Sequence, residues 1–273
     1  NFNTPGNGYA ERFKHTDEPF LNVQRTSTID NFTRIVQNDG VDTIVGNTTN
    51  YTYGLNNRIY AKRPPSGGRP SIAQEIIAVE ILQTYYTSAT ASQFDNRYTT
   101  SFNSAAPSNF SPVQLSVRAT PTQAVNATLR AEIDSKHKEL RTLSANSNYN
   151  WSNRIQSQVG WTKTFFIEEL PGFNDRNNLN HSLNASTNVH TQDNRVGVMH
   201  TFNFDILRSY ILQQRISAFY NAQCCGIAFE FQKFNYGGFG SSLPADRRFF
   251  LSFTLAGLGN FSPFNGAMGG MPR

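Results

Sequence analysis

The sequence predicts an all-β protein, an antiparallel transmembrane β-barrel wall of about twelve or thirteen strands. Three observations predict it. Apolar and polar residues alternate with period two along most of the 273 residues, which gives each strand one greasy and one wet face. The alternating segments run to roughly ten residues, the length a tilted strand needs to cross a bilayer. Their polar positions are filled by Asn, Gln, Ser and Thr, as a hydrated interior requires, and only 16% of the chain is charged against a usual ~25%. A soluble antiparallel sandwich or barrel also alternates; uniform strand length and uniform polar composition favour the membrane barrel.

The segments follow in order. The first strand is expected over 19–28. Over 49–62, Tyr51, Tyr53, Leu55 and Ile59 oppose Thr52, Asn56, Arg58 and Lys62. Over 72–86, Ile77, Val79, Ile81 and Tyr85 form one face, and the β-branched residues there favour strand over helix. Val113, Leu115 and Val117 mark 110–119. The clearest segment is 123–134, where Val125, Ala127, Leu129, Ala131 and Ile133 alternate with Asn126, Thr128, Arg130, Glu132 and Asp134. Leu143, Ala145 and Tyr149 mark 141–151, and Ile155, Val159 and Trp161 mark 154–167. Leu183, Ala185 and Val189 mark 181–191, followed by 196–206 and 213–222. Ile227, Phe229 and Phe231 mark 226–235, and Phe249, Leu251, Phe253 and Leu255 mark 247–258. A thirteenth, poorly defined strand is expected before these or within the first loop. The 3.6-residue pattern of a helix never persists for three turns.

Composition excludes several classes. Lys plus Arg number 24 and Asp plus Glu 19, so the net charge is 24 − 19 = +5. The basic residues are scattered, which gives little footprint for a nucleic acid. Aromatics reach 13%, unlike a disordered chain. No stretch approaches the ~18 apolar residues of a membrane helix, and two cysteines are too few for a disulfide-rich secreted scaffold. The chain starts at Asn1 with neither Met nor a signal-like segment, so a piece of a longer protein is expected.

Connection lengths alternate as well. Short links fall at 120–122, around Ser152, at 192–195 and at Cys224 and Cys225. Longer ones fall at 87–109, 135–139, 168–180, 207–212 and 236–246. Outer-membrane barrels have short periplasmic turns and long outer loops. This parity places the cysteine pair, the Pro- and Gly-containing link 63–69 and the C-terminal tail on the periplasmic side of a bacterial outer membrane. The expected organisation is a barrel domain over 1–259 and a periplasmic tail over 260–273. The expected lumen face carries Asn126, Thr128, Arg130, Asn146, Asn148, Gln156, Gln158, Asn184 and Asn188.

Few residues suggest covalent chemistry. Consecutive Cα atoms lie ~3.8 Å apart, below the ~4.4–6.8 Å usual for a disulfide, so Cys224 and Cys225 are not expected to bond each other. They are either two unpaired thiols in a turn or two disulfides to partners outside these residues, and exposed thiols are a liability in an oxidising compartment. His15, His137, His181, His190 and His200 show no zinc-type spacing. His181 and His190, nine residues apart, fall on opposite faces of one strand. No nucleophile elbow, phosphate loop or His-Glu-x-x-His motif occurs, so no enzyme activity, cofactor or metal is expected. Lys136, Lys138, Arg176, Arg247 and Arg248 lie in or beside long loops, either as solubilising charge or as partners for the phosphates of an anionic glycolipid.

Toward the C-terminus, Tyr220-Asn221-Ala222-Gln223-Cys224-Cys225-Gly226-Ile227, followed by Asp246-Arg247-Arg248-Phe249-Phe250-Leu251-Ser252-Phe253-Thr254-Leu255-Ala256-Gly257-Leu258-Gly259, resembles the end of the outer-membrane lipopolysaccharide-assembly family (LptD). Asn50-Tyr51-Thr52-Tyr53-Gly54-Leu55-Asn56-Asn57-Arg58-Ile59-Tyr60-Ala61 and Gln83-Thr84-Tyr85-Tyr86 resemble it too. The resemblance implies the C-terminal half of a 26-stranded barrel preceded by a periplasmic jellyroll, with Cys224 and Cys225 paired to cysteines of that missing region. It implies lipopolysaccharide transport and assembly, with lipopolysaccharide, a lipoprotein plug inside the barrel and a periplasmic jellyroll bridge protein as partners. The glycolipid would leave through a lateral seam, of which 249–258, with Phe249, Leu251, Phe253 and Leu255, would be the last strand. The runner-up function is a general outer-membrane porin or passive channel.

Overall fold

The computed structural model describes residues 2–3, 9–28, 45–63, 72–222, 224–235, 245–255 and 259–261. The link 63–69, the loop 236–246 and the tail 260–273 lie largely outside the described residues, and 256–258 and Gln223 wholly so. The strands are β1 (Phe2–Asn3), β2 (Arg12–Thr26), β3 (Thr48–Lys62), β4 (Ala73–Tyr86), β5 (Val113–Thr122), β6 (Val125–Ile133), β7 (Leu140–Ser152), β8 (Ile155–Thr164), β9 (His181–His190), β10 (Val196–Asp205), β11 (Tyr210–Asn221), β12 (Cys225–Phe234), β13 (Asp246–Leu255) and β14 (Gly259–Phe261). Each neighbours the next in sequence, and the pairs from β1 to β6 and from β9 to β14 are antiparallel. Helical structure is confined, among the described residues, to the 3-10 turns Ala89–Phe94 and Arg176–Asn178. No helix there is long and apolar enough to cross a membrane, which leaves strands untested by that measure.

The chain divides into two compact units, 1–145 with 162–180, and 146–161 with 181–273. In the first unit, register fixes the two faces. Leu55, Ile81, Leu115 and Ala131 stand in one cross-strand row, and Asn57, Val79, Val117 and Leu129 in the next but one. Leu55, Ile81 and Leu129 are each exposed to 40% or more, while Ala131 at the end of the first row is buried, so among the described residues no second layer covers this face at those three positions. The row between them is Asn56, Glu80, Ser116 and Arg130, and the row beyond Leu55 is Gly54, Leu82, Gln114 and Glu132. They point to the opposite face, because successive side chains of a strand alternate.

In the second unit Val189, Val198, Ala218, Phe229 and Leu251 share a row, and Thr187, His200, Ile216, Phe231 and Phe249 the next but one. Phe229 and Phe249 are exposed by 44% and 60%. The facing rows carry Asn184, Asn203 and Gln213, and Ser186, Thr201, Arg215 and Gln232.

Three elements depart from expectation. The first long strand starts at Arg12, not near 19. Its apolar-side positions include His15 and Asp17, which meet Asn57 of β3, so polarity masked the period. The register of β3 and β4 shifts between Ile59 and Tyr60, an extra residue that sends Ile76 in among Ala10 and Ala61. Finally, a further short strand, β14, pairs with β13 from Phe253 to Leu255, where the sequence led to no strand after 247–258; residues 256–258 of that expected strand lie outside the described residues.

Candidate functional site

The candidate site is the polar face. In the first unit its charges are tied to one another. Arg118 reaches Glu75 at 2.5 Å, Arg58 lies 3.7 Å from both Glu18 and Glu75, and Arg130 lies 3.4 Å from Glu132. The long segment 87–112, whose residues 87–109 the sequence places in an outer loop, folds onto this face. Glu132 of β6, 0% exposed, accepts from the Thr99 and Thr100 amides at 2.6 and 3.0 Å and from the Thr100 hydroxyl at 2.6 Å. The Tyr86 hydroxyl of β4 donates to Asp95 at 2.7 Å. Thr84 shares hydrogen bonds with Tyr98 at 2.8 Å and with Thr52 of β3 at 2.9 Å. Arg97 pairs with Asp95 at 2.8 Å and also donates to Thr52, while Arg130 donates to the Arg97 carbonyl. Burial pushes the Tyr98 hydroxyl above its ordinary pKa, so it stays a neutral hydrogen-bonding group. Sequence reasoning missed this strap. Its available signal was a long connection carrying Asp95, Arg97 and Tyr98, opposite strands whose polar positions include Thr84, Tyr86 and Glu132.

A neighbouring connection braces the strap. Ile167, Leu170 and Phe173 bury against Ala105. Gly172 turns there with φ +82°, and a side chain would run into the Asn103 carbonyl, so only glycine fits. Arg141 lies over the Phe173 ring at 5.7 Å and bonds Asp134 at 2.5 Å. Asp134 also accepts from the Lys136 and His137 amides at 2.9 and 2.7 Å. Burial opposes its ionisation, but these donors outweigh that cost and hold the carboxyl below its ordinary pKa. His137 sits between Asp134 at 2.8 Å and Glu169 at 3.5 Å.

The expected lumen residues lie as follows. Asn126, Thr128 and Arg130 alternate on β6 with Ala127 and Leu129, whose register places the latter two in the apolar rows. Asn146 and Asn148 are on β7, Gln156 and Gln158 on β8, and Asn184 and Asn188 on β9. Asn146 and Asn184 come together: a Cβ at Gly160 would stand 2.6 and 2.5 Å from their amide oxygens. Nearby, Arg215 pairs with Glu230 at 2.5 Å, the carboxylate being 2% exposed. Phe249, Leu251, Phe253 and Leu255 line the exposed apolar side of β13.

Cys224 is exposed and Cys225 half-buried, both unbonded, with sulfurs 3.6 Å apart. They sit at the turn from β11 into β12. His181 and His190 cap the two ends of β9, His181 accepting from the Trp161 indole at 3.2 Å, and no group of His, Cys, Asp and Glu among the described residues could hold a metal. Of the loop cations, Arg248 pairs with Asp246 at 2.6 Å and Arg176 lies over Phe166 at 4.7 Å.

No family model matches the chain, and no curated protein matches it. Among solved structures, a triple mutant of Rhodopseudomonas blastica porin is similar at 10% identity, over 92% of this chain and 93% of that one, with a TM-score of 0.36.

Proposed function

We propose that the chain is part of the wall of a bacterial outer-membrane β-barrel that moves lipopolysaccharide to the outer leaflet. The observation that carries the barrel is the pair of faces: an exposed apolar row on every second residue, backed by Asn, Gln, Ser, Thr and paired charges. In water such a continuous apolar band is a liability; against hydrocarbon it is the favourable arrangement. A ten-residue strand spans roughly 33 Å, and a tilt of about 40° brings that to about 25 Å, the height of an outer-membrane apolar band.

The adjacent thiols support the finer reading. They are exposed to half-buried, unbonded to each other, and the sequence holds no third cysteine, so any disulfide they make in the periplasm reaches beyond this chain. That matches the C-terminal half of the 26-stranded barrel which the resemblance implies, with a jellyroll, a lipoprotein plug and a bridge protein as its partners. Such transport makes and breaks no covalent bond in the cargo. The polar face offers water and hydrogen bonds to sugars, and the apolar strand β13 offers a lip for acyl chains.

A second reading, a general porin or passive channel, is favoured by the strap 87–112, which sets Arg97 and Asp95 on the polar face as a size filter would. Two measurements separate the readings. On a nonreducing gel of the full-length protein, the transport reading expects reductant to change mobility; unchanged mobility removes the long-range disulfides. Photocrosslinkers at Asn126, Asn146 and Asn188 are expected to capture lipopolysaccharide in cells; ion conductance with no adduct at any of the three selects the channel.

A further inference from the structure

The second unit holds a recess of about 180 Å³ on its polar face; six polar residues line it, Gln158, Asn184, Ser186, Thr201, Asn203 and Gln213, together with Ala185 and Phe202. Register explains their convergence. Asn203 of β10 stands opposite Asn184 of β9 and Gln213 of β11, and Thr201 stands opposite Ser186. Gly160 of β8 clears the flank, because a Cβ there would collide with the Asn184 and Asn146 amides. The chemistry of this lining differs from that of the first unit. There, polar groups satisfy one another in a buried network. Here, none of the six side chains hydrogen-bonds another protein group among the described residues. None is charged either. Arg215, opposite Thr201, is already committed to Glu230.

Four amides and two hydroxyls supply donors and acceptors in comparable number. A phosphate or carboxylate calls for cationic partners, and none lines the recess; an acyl chain calls for a mainly apolar lining, whereas the two apolar residues here, Ala185 and Phe202, follow Asn184 and precede Asn203 on their strands and so alternate to the opposite face. A ring bearing hydroxyls, each both donor and acceptor, matches. We infer that this recess is a binding site for an uncharged, hydroxyl-rich sugar ring. The inference rests on the reading of this face as the path of a glycolipid and adds which part of that cargo is held: neutral sugar units, not phosphate or lipid.

The test uses the full-length protein in detergent, with maltotriose as neutral probe and glucose 6-phosphate as charged probe, read by saturation-transfer NMR. Maltotriose is expected to receive saturation and glucose 6-phosphate to receive at least tenfold less. Asn184→Leu with Asn203→Leu is expected to weaken maltotriose binding at least tenfold. Gly160→Ala keeps every polar group but crowds Asn184 and Asn146, and is expected to weaken it severalfold. Retained β circular dichroism and heat-modifiable gel mobility show that each variant has folded, and if the double variant misfolds, Gly160→Ala carries the test. No transfer to maltotriose, equal transfer to both probes, or unchanged binding in folded variants overturns the inference. Lipopolysaccharide adducts at Asn126, Asn146 or Asn188 without maltotriose binding defeat the sugar site and leave the transport reading standing. Maltotriose binding without adducts does the reverse.

Discussion

Removing the Glu132 carboxylate should release the strap. Glu132→Ala deletes three hydrogen bonds at 2.6, 3.0 and 2.6 Å and the counter-charge 3.4 Å from Arg130. Bonds to a charged group are each worth about 1.5–3 kcal/mol, but such sums are not additive. Breaking a buried pair by removing one partner costs about 3–5 kcal/mol, and here two backbone amides also lose their acceptor. At about 1.4 kcal/mol per tenfold, local opening should become roughly a hundredfold to several thousandfold more frequent. Hydrogen exchange of the Thr99 and Thr100 amides in detergent-solubilised full-length protein reads this directly. Glu132→Gln keeps one carbonyl acceptor but turns an amide NH₂ toward a donor, so its effect should fall between wild type and Ala. Exchange at both amides within twofold of wild type in Glu132→Ala would refute the reasoning.

Two further outcomes are expected. Ile216→Arg puts a charge on the apolar row at the middle of β11 and should cost about 2–4 kcal/mol in lipid; Ser217→Arg, one residue on and opposite Glu230, should stay within about 0.5 kcal/mol, and urea unfolding in bilayers measures both. Asp134 is held below its ordinary pKa, so its stabilisation of the turn after β6 is fully present above the unfolded carboxyl's pKa and lost as pH falls through the lower folded one. Exchange protection at the Lys136 and His137 amides, corrected for intrinsic rates, should therefore hold down to about pH 4 and drop only below it; a loss between pH 8 and 5 contradicts the assignment.

The strands were legible because period two is a local property. On β6 the alternation from Val125 to Ile133 and the register with β5 say the same thing. On β2 the signal failed because Asn57, a residue on another strand, makes His15 and Asp17 tolerable on the apolar side. The strap failed for a related reason. A long connection rich in Ser, Thr and Asn reads as solvated loop, and nothing local shows that its amides find a buried carboxylate thirty-odd residues away. The recess was half legible: Gln158 and Asn184 were expected on the polar face, whereas Asn203 and Gln213 join them only through the pairing of β9, β10 and β11. The cysteines were legible as a constraint, since adjacency alone disfavours a bond between them.

The central claim is that one face of each strand meets hydrocarbon and the other meets enclosed water. It is tested most directly by tryptophan scanning of β6 in the full-length protein, with Trp151, Trp161 and every further native tryptophan replaced by Phe, in bilayers of brominated lipid. Tryptophan at Ala127 and Leu129 should be strongly quenched, and at Asn126, Thr128 and Arg130 hardly at all. Equal quenching at neighbouring positions, or none at Leu129, would contradict it.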